Sequence, residues 1–321
     1  MDQNNSSENS ERSELKSIGI YKEIIKECFH IHISTIQFIG GGSYRVFEVN
    51  NNLIFKFTHE IPPELLKREK DVCDSIRDNL SVPIPHYLYF SDTCPSFKGA
   101  VGGYQKLEGT SLEGVPIFDH TKTAHQIGQF LSELHAIDLN EEFSHEKAHT
   151  ELTELYNHIQ KAAFPFLNKK EQQWTQSLFE DFLDDKEYWN FTPVFVHGDF
   201  DSSNILYQSG KGMCGIIDFE EAGMGDPAWD FCCLLAEYGI NFLKTALKSY
   251  QGIKDETLLK RIQFHSKRTI FHELLYGIEY NQPEFTAHGL TRLHKAMNNC
   301  HIIGGWLNQS MSLTRREGFP G

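Results

Sequence analysis

Residues 194–218 read V-F-V-H-G-D-F-D-S-S-N-I-L-Y-Q-S-G-K-G-M-C-G-I-I-D. Short apolar runs frame three polar residues, Asp199, Asn204 and Asp218. The spacing is Asp-x4-Asn, followed by a hairpin whose far strand ends in the second Asp. Singly, Asp and Asn are ordinary turn formers. In this combination they suit phosphoryl transfer from a nucleotide, where one carboxylate accepts a hydroxyl proton and an amide oxygen and a second carboxylate hold a hard Mg2+ ion.

Upstream, Ser34 to Ile39, the run Gly40-Gly41-Gly42 and Tyr44 to Val49 read as strand, tight turn and strand, and Asn50-Asn51-Asn52 turns the chain again. Leu53 to Phe57 alternates, so Leu53, Phe55 and Phe57 share one face while Ile54 and Lys56 share the other. Pro62-Pro63 opens a helix to about Asn79 with an apolar stripe of Leu65, Leu66, Cys73, Ile76 and Leu80. Glu69 falls within that stripe. A carboxylate there is costly unless a cation pairs with it, and Lys56 is the obvious candidate; the alternative is that Glu69 sits at the stripe's edge and reaches water. Pro83 and Pro85 break the chain before a strand at His86 to Phe90, and Gly102-Gly103 precedes another at Tyr104 to Leu107.

Glu108-Gly109 then reads as the exit from a small sheet into a mostly helical region. Helical patterns follow at Thr121 to Ile137 and near 151–163, 168–189, 228–250, 255–280 and 284–300. The expected fold class is α+β and bilobal. A nucleotide-binding lobe at 15–108, with a small antiparallel sheet and one key helix, precedes a larger, mainly helical catalytic and substrate-binding lobe at 109–311, and polar tails at 1–14 and 312–321 flank the two.

The formal charge of −14 over 321 residues argues against nucleic acid as a partner, because a phosphate backbone demands clustered Lys and Arg. A cationic small molecule is the more natural ligand, although surplus Asp and Glu also serve solubility alone. Seven cysteines at irregular spacing form no disulfide framework and no paired C-x-x-C pattern, so they are expected to be reduced core thiols. The polar opening M-D-Q-N-N-S-S-E lacks the apolar core of a signal peptide. No apolar run approaches the roughly 18–20 residues that span a bilayer, so a soluble, cytoplasmic protein with neither a membrane nor an obligate protein partner is expected.

Gly40-Gly41-Gly42-Ser43 lies where a flexible loop presents backbone N–H groups to nucleotide phosphates. A Walker motif is missing, as is a G-x-G-x-x-G before a helix, so neither a P-loop nor a dinucleotide site is expected. Glycine loop, Lys56, Glu69, Asp199, Asn204 and Asp218 follow one another in the protein-kinase order. With H-G-D-F-D-S-S-N-I-L, I-I-D-F-E and G-D-P-A-W-D-F, the chain resembles the aminoglycoside phosphotransferase family from about residue 15 to 300. I-F-K-F, V-P-I-P, F-L-S-E-L-H and C-G-I-I-D-F carry that resemblance toward its 2''-aminoglycoside phosphotransferases.

The resemblance implies that Asp199 orients or deprotonates the attacking hydroxyl and that Asn204 and Asp218 bind Mg2+. It implies that Lys56, fixed by Glu69, contacts the α and β phosphates of ATP or GTP, covered by Gly41, Gly42 and Ser43. Ile54, Tyr104, Gln105, Leu107 and Ile217 would line the purine pocket. His197 would brace the catalytic loop, and Asp226 reads as a helix N-cap. Two departures from protein kinases stand out: Glu220 replaces the glycine of D-F-G, and no A-P-E follows, which makes protein substrates improbable. Asp199, Asp201, Glu220, Glu221, Glu237, Glu273 and Glu279 could form an acidic cleft for a polyamine-like aminoglycoside. A macrolide, choline, a homoserine-like metabolite or a ribose derivative is the alternative acceptor.

Overall fold

A computed structural model of the chain describes residues 18–41, 44–59, 61–117 and 119–298. The tails expected at 1–14 and 312–321, and Gly42 and Ser43 of the glycine loop, lie outside the described residues. The chain divides into two compact units. One draws on Met1–Glu141, Val194–Asp230 and Ile240–Gly252, and the other on Glu142–Pro193, Phe231–Gly239 and Ile253–Gly321.

The first unit begins with a helix, α1 (18–29), and continues through β1 (Ile36–Gly41), β2 (Tyr44–Val49), β3 (Leu53–Thr58), α2 (Pro63–Ile76), β4 (Tyr87–Ser91) and β5 (Val101–Gln105). The five strands make one antiparallel sheet in the order β1-β2-β3-β5-β4. Alternation sorts its two faces. Phe47, Val49, Phe55 and Phe57 pack with Ile24 and Ile25 of α1 in one core, while Ile54 and Lys56 point the other way, as the period of two requires. Helix α2 starts with Pro63 at its first position and buries Leu66, Glu69, Cys73 and Ile76.

Two expectations need correction here. Gly102 and Gly103 stand inside β5 and do not precede it. A Cβ at Gly102 would lie 2.7 Å from the Tyr87 ring, and one at Gly103 2.5 Å from the Phe55 ring, so aromatic side chains of the flanking strands occupy the space that any larger residue would need. Cys28 and Cys94 are not thiols but are joined in a disulfide, with Cα atoms 5.8 Å apart. They are 66 residues apart in sequence, and only the packing of α1 against the sheet brings them together. Cys73, Cys214, Cys232 and Cys233 are in no disulfide.

The same unit holds β6 (Thr110–Ser111), α3 (His120–Leu134), β7 (Val194–Val196), β8 (Ile205–Gln208), β9 (Gly212–Ile216) and β10 (Gly223–Gly225). Strands β8 and β9 form the hairpin between Asn204 and Asp218, with β6 added beside β8, and β7 pairs with β10. Helix α6 (Ala228–Ser249) is interrupted at Gly239, whose φ of 78° is not helical. The N-cap position of that helix is filled by Pro227, not by Asp226; the Asp226 carboxylate, one residue earlier, accepts the Ala228 N–H at 2.9 Å.

In the second unit α4 (His145–Ala162), α5 (Lys169–Asp184), α7 (Leu258–Glu279) and α8 (Pro283–Asn298) bury Tyr156, Phe179, Phe182, Phe264, Phe271 and Leu293 in a core of their own. The helical pattern near 168–189 resolves into α5 and a 3-10 turn at Lys186–Trp189. Among the described residues no helix is long and apolar enough to cross a membrane.

Candidate active site

The strand β3 carries Lys56 to the face on which α2 places Glu69, and there the two meet. The Lys56 Nζ donates to both Glu69 oxygens at 2.8 and 2.9 Å and to Asp218 Oδ1 at 2.8 Å. Lys56 is 4% exposed and Glu69 0%, so Glu69 does not reach water at the helix edge. Burial by itself pulls the Lys56 ammonium down, but the Glu69 and Asp218 carboxylates more than reverse this, and its pKa stands well above the ordinary lysine value. Burial likewise pushes the Asp218 carboxyl up; Lys56 overcomes it and holds the group below its usual range. Three side chains distant in sequence thus form one charged cluster.

Asp199 and Asn204 sit on the loop between β7 and β8. The Asn204 amide donates to the Asp199 carbonyl at 2.9 Å and to its Oδ2 at 3.0 Å. The Asn204 carbonyl in turn accepts the Ile217 N–H at 3.0 Å, which sets the residue before Asp218 against the loop that carries Asp199. Asp218 itself has φ 69°, a left-handed conformation uncommon for a residue with a side chain and a frequent mark of functional positions. With its amide nitrogen tied back to Asp199, Asn204 keeps its side-chain oxygen for a ligand, and Asp218 keeps Oδ2. Both are hard oxygen donors, and they fit Mg2+. The Asp199 carboxyl is pushed up from its ordinary range by desolvation and then by the neighbouring Asp201 carboxylate.

His197 accepts the Asp199 N–H through Nδ1 at 3.3 Å and reaches the Ile217 carbonyl with Nε2 at 3.0 Å. A backbone N–H only donates and a carbonyl only accepts, so the proton belongs on Nε2 and both ring nitrogens are engaged in joining the loop to the strand. Beneath it, fully buried Asp230 at the start of α6 accepts from the His197 and Gly198 N–H groups at 2.8 and 3.1 Å and pairs with His135 Nε2 at 3.0 Å. His135 Nδ1 in turn meets the Tyr250 hydroxyl at 2.8 Å. Gly198 has φ 84°, and a Cβ there would lie 2.4 Å from the Glu221 carbonyl oxygen, so only glycine lets this loop pass the segment after Asp218. Asp230→Asn is expected to leave one of the loop's N–H groups without an acceptor and to cost about 1–3 kcal/mol, measurable by urea denaturation, together with a fall in kcat.

Arg68, next to Glu69 on α2, donates to the Glu220 carbonyl at 2.9 Å and to the Ala222 carbonyl. One helix therefore fixes both Lys56 and the segment that follows Asp218. Arg68→Met is expected to lower kcat/KM by about 10-fold with little change in Tm; a parent-like kcat/KM would remove Arg68 from the site. Sequence reasoning missed Arg68 and the bracing role of Asp230, because both act on backbone atoms brought near only by folding.

Of the other expected site residues, Ile54 and Tyr104 are direct neighbours across β3 and β5, on the Lys56 face. Gln105 and Leu107 line a cavity of about 430 Å3 with Pro83, Ile84, His86 and Cys214. Strand alternation turns the Gln105 side chain away from Tyr104. Asp201 is turned onto Ser203, whose N–H it accepts at 2.8 Å. The half-buried Glu220 carboxyl is pushed up to about 7 by desolvation and then by Asp218, while Glu221 is exposed. Glu237, Glu273 and Glu279 belong to the second unit. There Glu273 is held by His288 and by Arg292 at 2.9 Å, and Glu279 by His158, so two of these carboxylates already have partners.

The model of a phosphotransferase enzyme family matches residues 35–262, a span that includes every residue of the Lys56, Glu69, Asp199, Asn204 and Asp218 set. The chain belongs to that family. Its fold is similar to that of the GDP and kanamycin complex of APH(2")-IIia, with a TM-score of 0.78 at 21% identity over 87% of this chain and 99% of that one. It is similar to macrolide 2'-phosphotransferase type I, with a TM-score of 0.67 at 18% identity over 88% of this chain and 97% of that one. A viomycin phosphotransferase from Streptomyces vinaceus is 31% identical over 105 residues, which are 32% of this chain and 36% of that relative. The match thus spans about a third of the curated relative's length. The α+β, protein-kinase-like fold expected from the sequence is the fold of this family member.

Proposed function

We propose that this phosphotransferase moves the γ-phosphoryl group of ATP or GTP to a hydroxyl of an aminoglycoside, at its 2'' position, and thereby confers resistance. The observation that carries the reading is the convergence of Lys56, Glu69 and Asp218 within hydrogen-bond reach, beside a loop that ties Asp199 to Asn204. Lys56 binds the α and β phosphates, with Glu69 holding it in line. Asn204 and Asp218 hold Mg2+, which when bound offsets the negative charge of the phosphates. Asp199 accepts the proton of the acceptor hydroxyl, and Gly41, Gly42 and Ser43 cover the phosphates. Ile54, Tyr104 and Ile217 contact the purine, with the 105–107 backbone supplying its hydrogen bonds.

Phosphoryl transfer asks mainly for alignment and for neutralised charge, and these residues supply both. Asp201, Glu220 and Glu221, acids beside the transfer centre, receive ammonium groups of the acceptor. An ammonium about 4 Å from a carboxylate gains roughly 1 kcal/mol in water and nearer 4 where solvent is partly excluded. The fold likeness to an enzyme crystallised with GDP and kanamycin supports an aminoglycoside as the first acceptor to test.

The test is a product assay with ATP and with GTP against a panel of aminoglycosides, viomycin and a macrolide, with the phosphorylated position mapped by NMR. Saturable, Mg2+-dependent phosphorylation of an aminoglycoside at 2'' is expected. Turnover of the macrolide alone would move the acceptor class, and no transfer to any hydroxyl would overturn the reading.

A further inference from the structure

Tyr44 opens β2, one residue after the glycine run in sequence. The β2–β3 register sets Tyr44 opposite Thr58, Val46 opposite Lys56 and Glu48 opposite Ile54. Alternation therefore places Tyr44 on the face that carries Lys56, while Phe47 and Val49 enter the core on the other side. Its ring covers the Lys56 ammonium, with Nζ 4.7 Å from the ring centroid. Tyr44 is 4% exposed, and its hydroxyl, shielded from water, has no hydrogen-bond partner among the described residues.

A buried hydroxyl without a partner is rare in a folded protein and calls for a physical reason. The charged groups that act on this one are Glu69, Glu220, Lys56 and Asp218, the cluster at the centre of the site. The donors of Lys56 are directed at Glu69 and Asp218. Desolvation raises the phenol's pKa further above its ordinary value, so it stays protonated and offers a donor. The hydroxyl is therefore open to an oxygen acceptor that enters beside Lys56.

We propose that Tyr44 is a phosphate-contacting residue whose hydroxyl donates to a non-bridging oxygen of the nucleotide's terminal phosphates. The assignment rests on the kinase reading of the same site. It adds to the cation at Lys56 a neutral donor on the same face of the neighbouring strand, so a charge and a hydroxyl meet the phosphates side by side. The side chain reaches them only because β2 and β3 pair in this register.

Tyr44→Phe keeps the ring over Lys56 and removes only the oxygen. Isothermal titration of the full chain with Mg-ATP and Mg-GTP is expected to give Kd values about 10- to 100-fold higher for the variant. AMP and GMP, which lack the terminal phosphates, are expected to bind both proteins alike. The Tm of the nucleotide-free variant should be unchanged or higher, since an unpartnered polar atom has been removed. Parent-like affinity for Mg-ATP and Mg-GTP in the variant would overturn the proposal while the kinase reading stands. A lowered Tm with parent-like affinity would also overturn it, by showing that the hydroxyl is bonded within the protein. If the parent binds neither nucleotide, both the kinase reading and this proposal fall.

Discussion

Asp199→Asn is expected to lower kcat by about 10^2- to 10^4-fold, the usual contribution of a positioned proton acceptor, while the affinity for Mg-nucleotide stays near that of the parent. The substitution keeps the size of the side chain and an oxygen to receive the Asn204 amide, which Asp199 Oδ2 now accepts at 3.0 Å. It removes the charge and the capacity to accept the hydroxyl proton. The raised pKa of the Asp199 carboxyl, caused by desolvation and by Asp201, makes it a better acceptor than an isolated carboxylate. Steady-state kinetics with a saturating acceptor, beside a direct measurement of nucleotide binding, separates the two effects. Unchanged kcat would remove Asp199 from the chemistry, and lost nucleotide binding would make it a structural residue.

Glu69→Ala is expected to have the second largest effect, on stability and activity together. Removing one partner of a buried ion pair costs about 3–5 kcal/mol. The lower end is expected here, because Asp218 still pairs with Lys56 at 2.8 Å. The freed ammonium then turns wholly toward Asp218, away from the direction that a phosphate contact requires. Urea denaturation should register the stability loss, and nucleotide titration a weaker Kd. Glu69→Gln, which keeps one of the two oxygens that accept from Lys56 and removes the charge, should fall between the parent and the alanine variant. An alanine variant with parent stability and parent nucleotide affinity would leave the pair without a role.

Much of the site was legible because the physics that made it legible is local. Alternation along β3 assigned Lys56 to the face away from Phe55 and Phe57, and the helical period put Glu69 on the buried side of α2, where a carboxylate demands a cation. The hairpin between Asn204 and Asp218 followed from apolar runs around a glycine turn. Glycines 102 and 103 were misread as punctuation, since a strand glycine under a neighbour's aromatic ring looks the same in sequence as a turn glycine. The Cys28–Cys94 bond was missed because spacing alone says nothing about which helix lies on which sheet edge. The acids of the second unit were read only as charges, and for Glu273 and Glu279 the structure supplies partners from other helices or turns.

What the sequence determined by itself is the order and local geometry of the kinase-like parts, because strand and helix periods and turn residues act over a few neighbours. What only the tertiary structure decided is the long-range bonding: Arg68 on two carbonyls after Asp218, Asp230 beneath the loop that carries Asp199, and the Tyr44 hydroxyl beside Lys56, without a partner among the described residues. These contacts join side chains to backbone, or leave a group without a partner, across separations that no pattern of residue types encodes. They arise from where packing sets each element against the next.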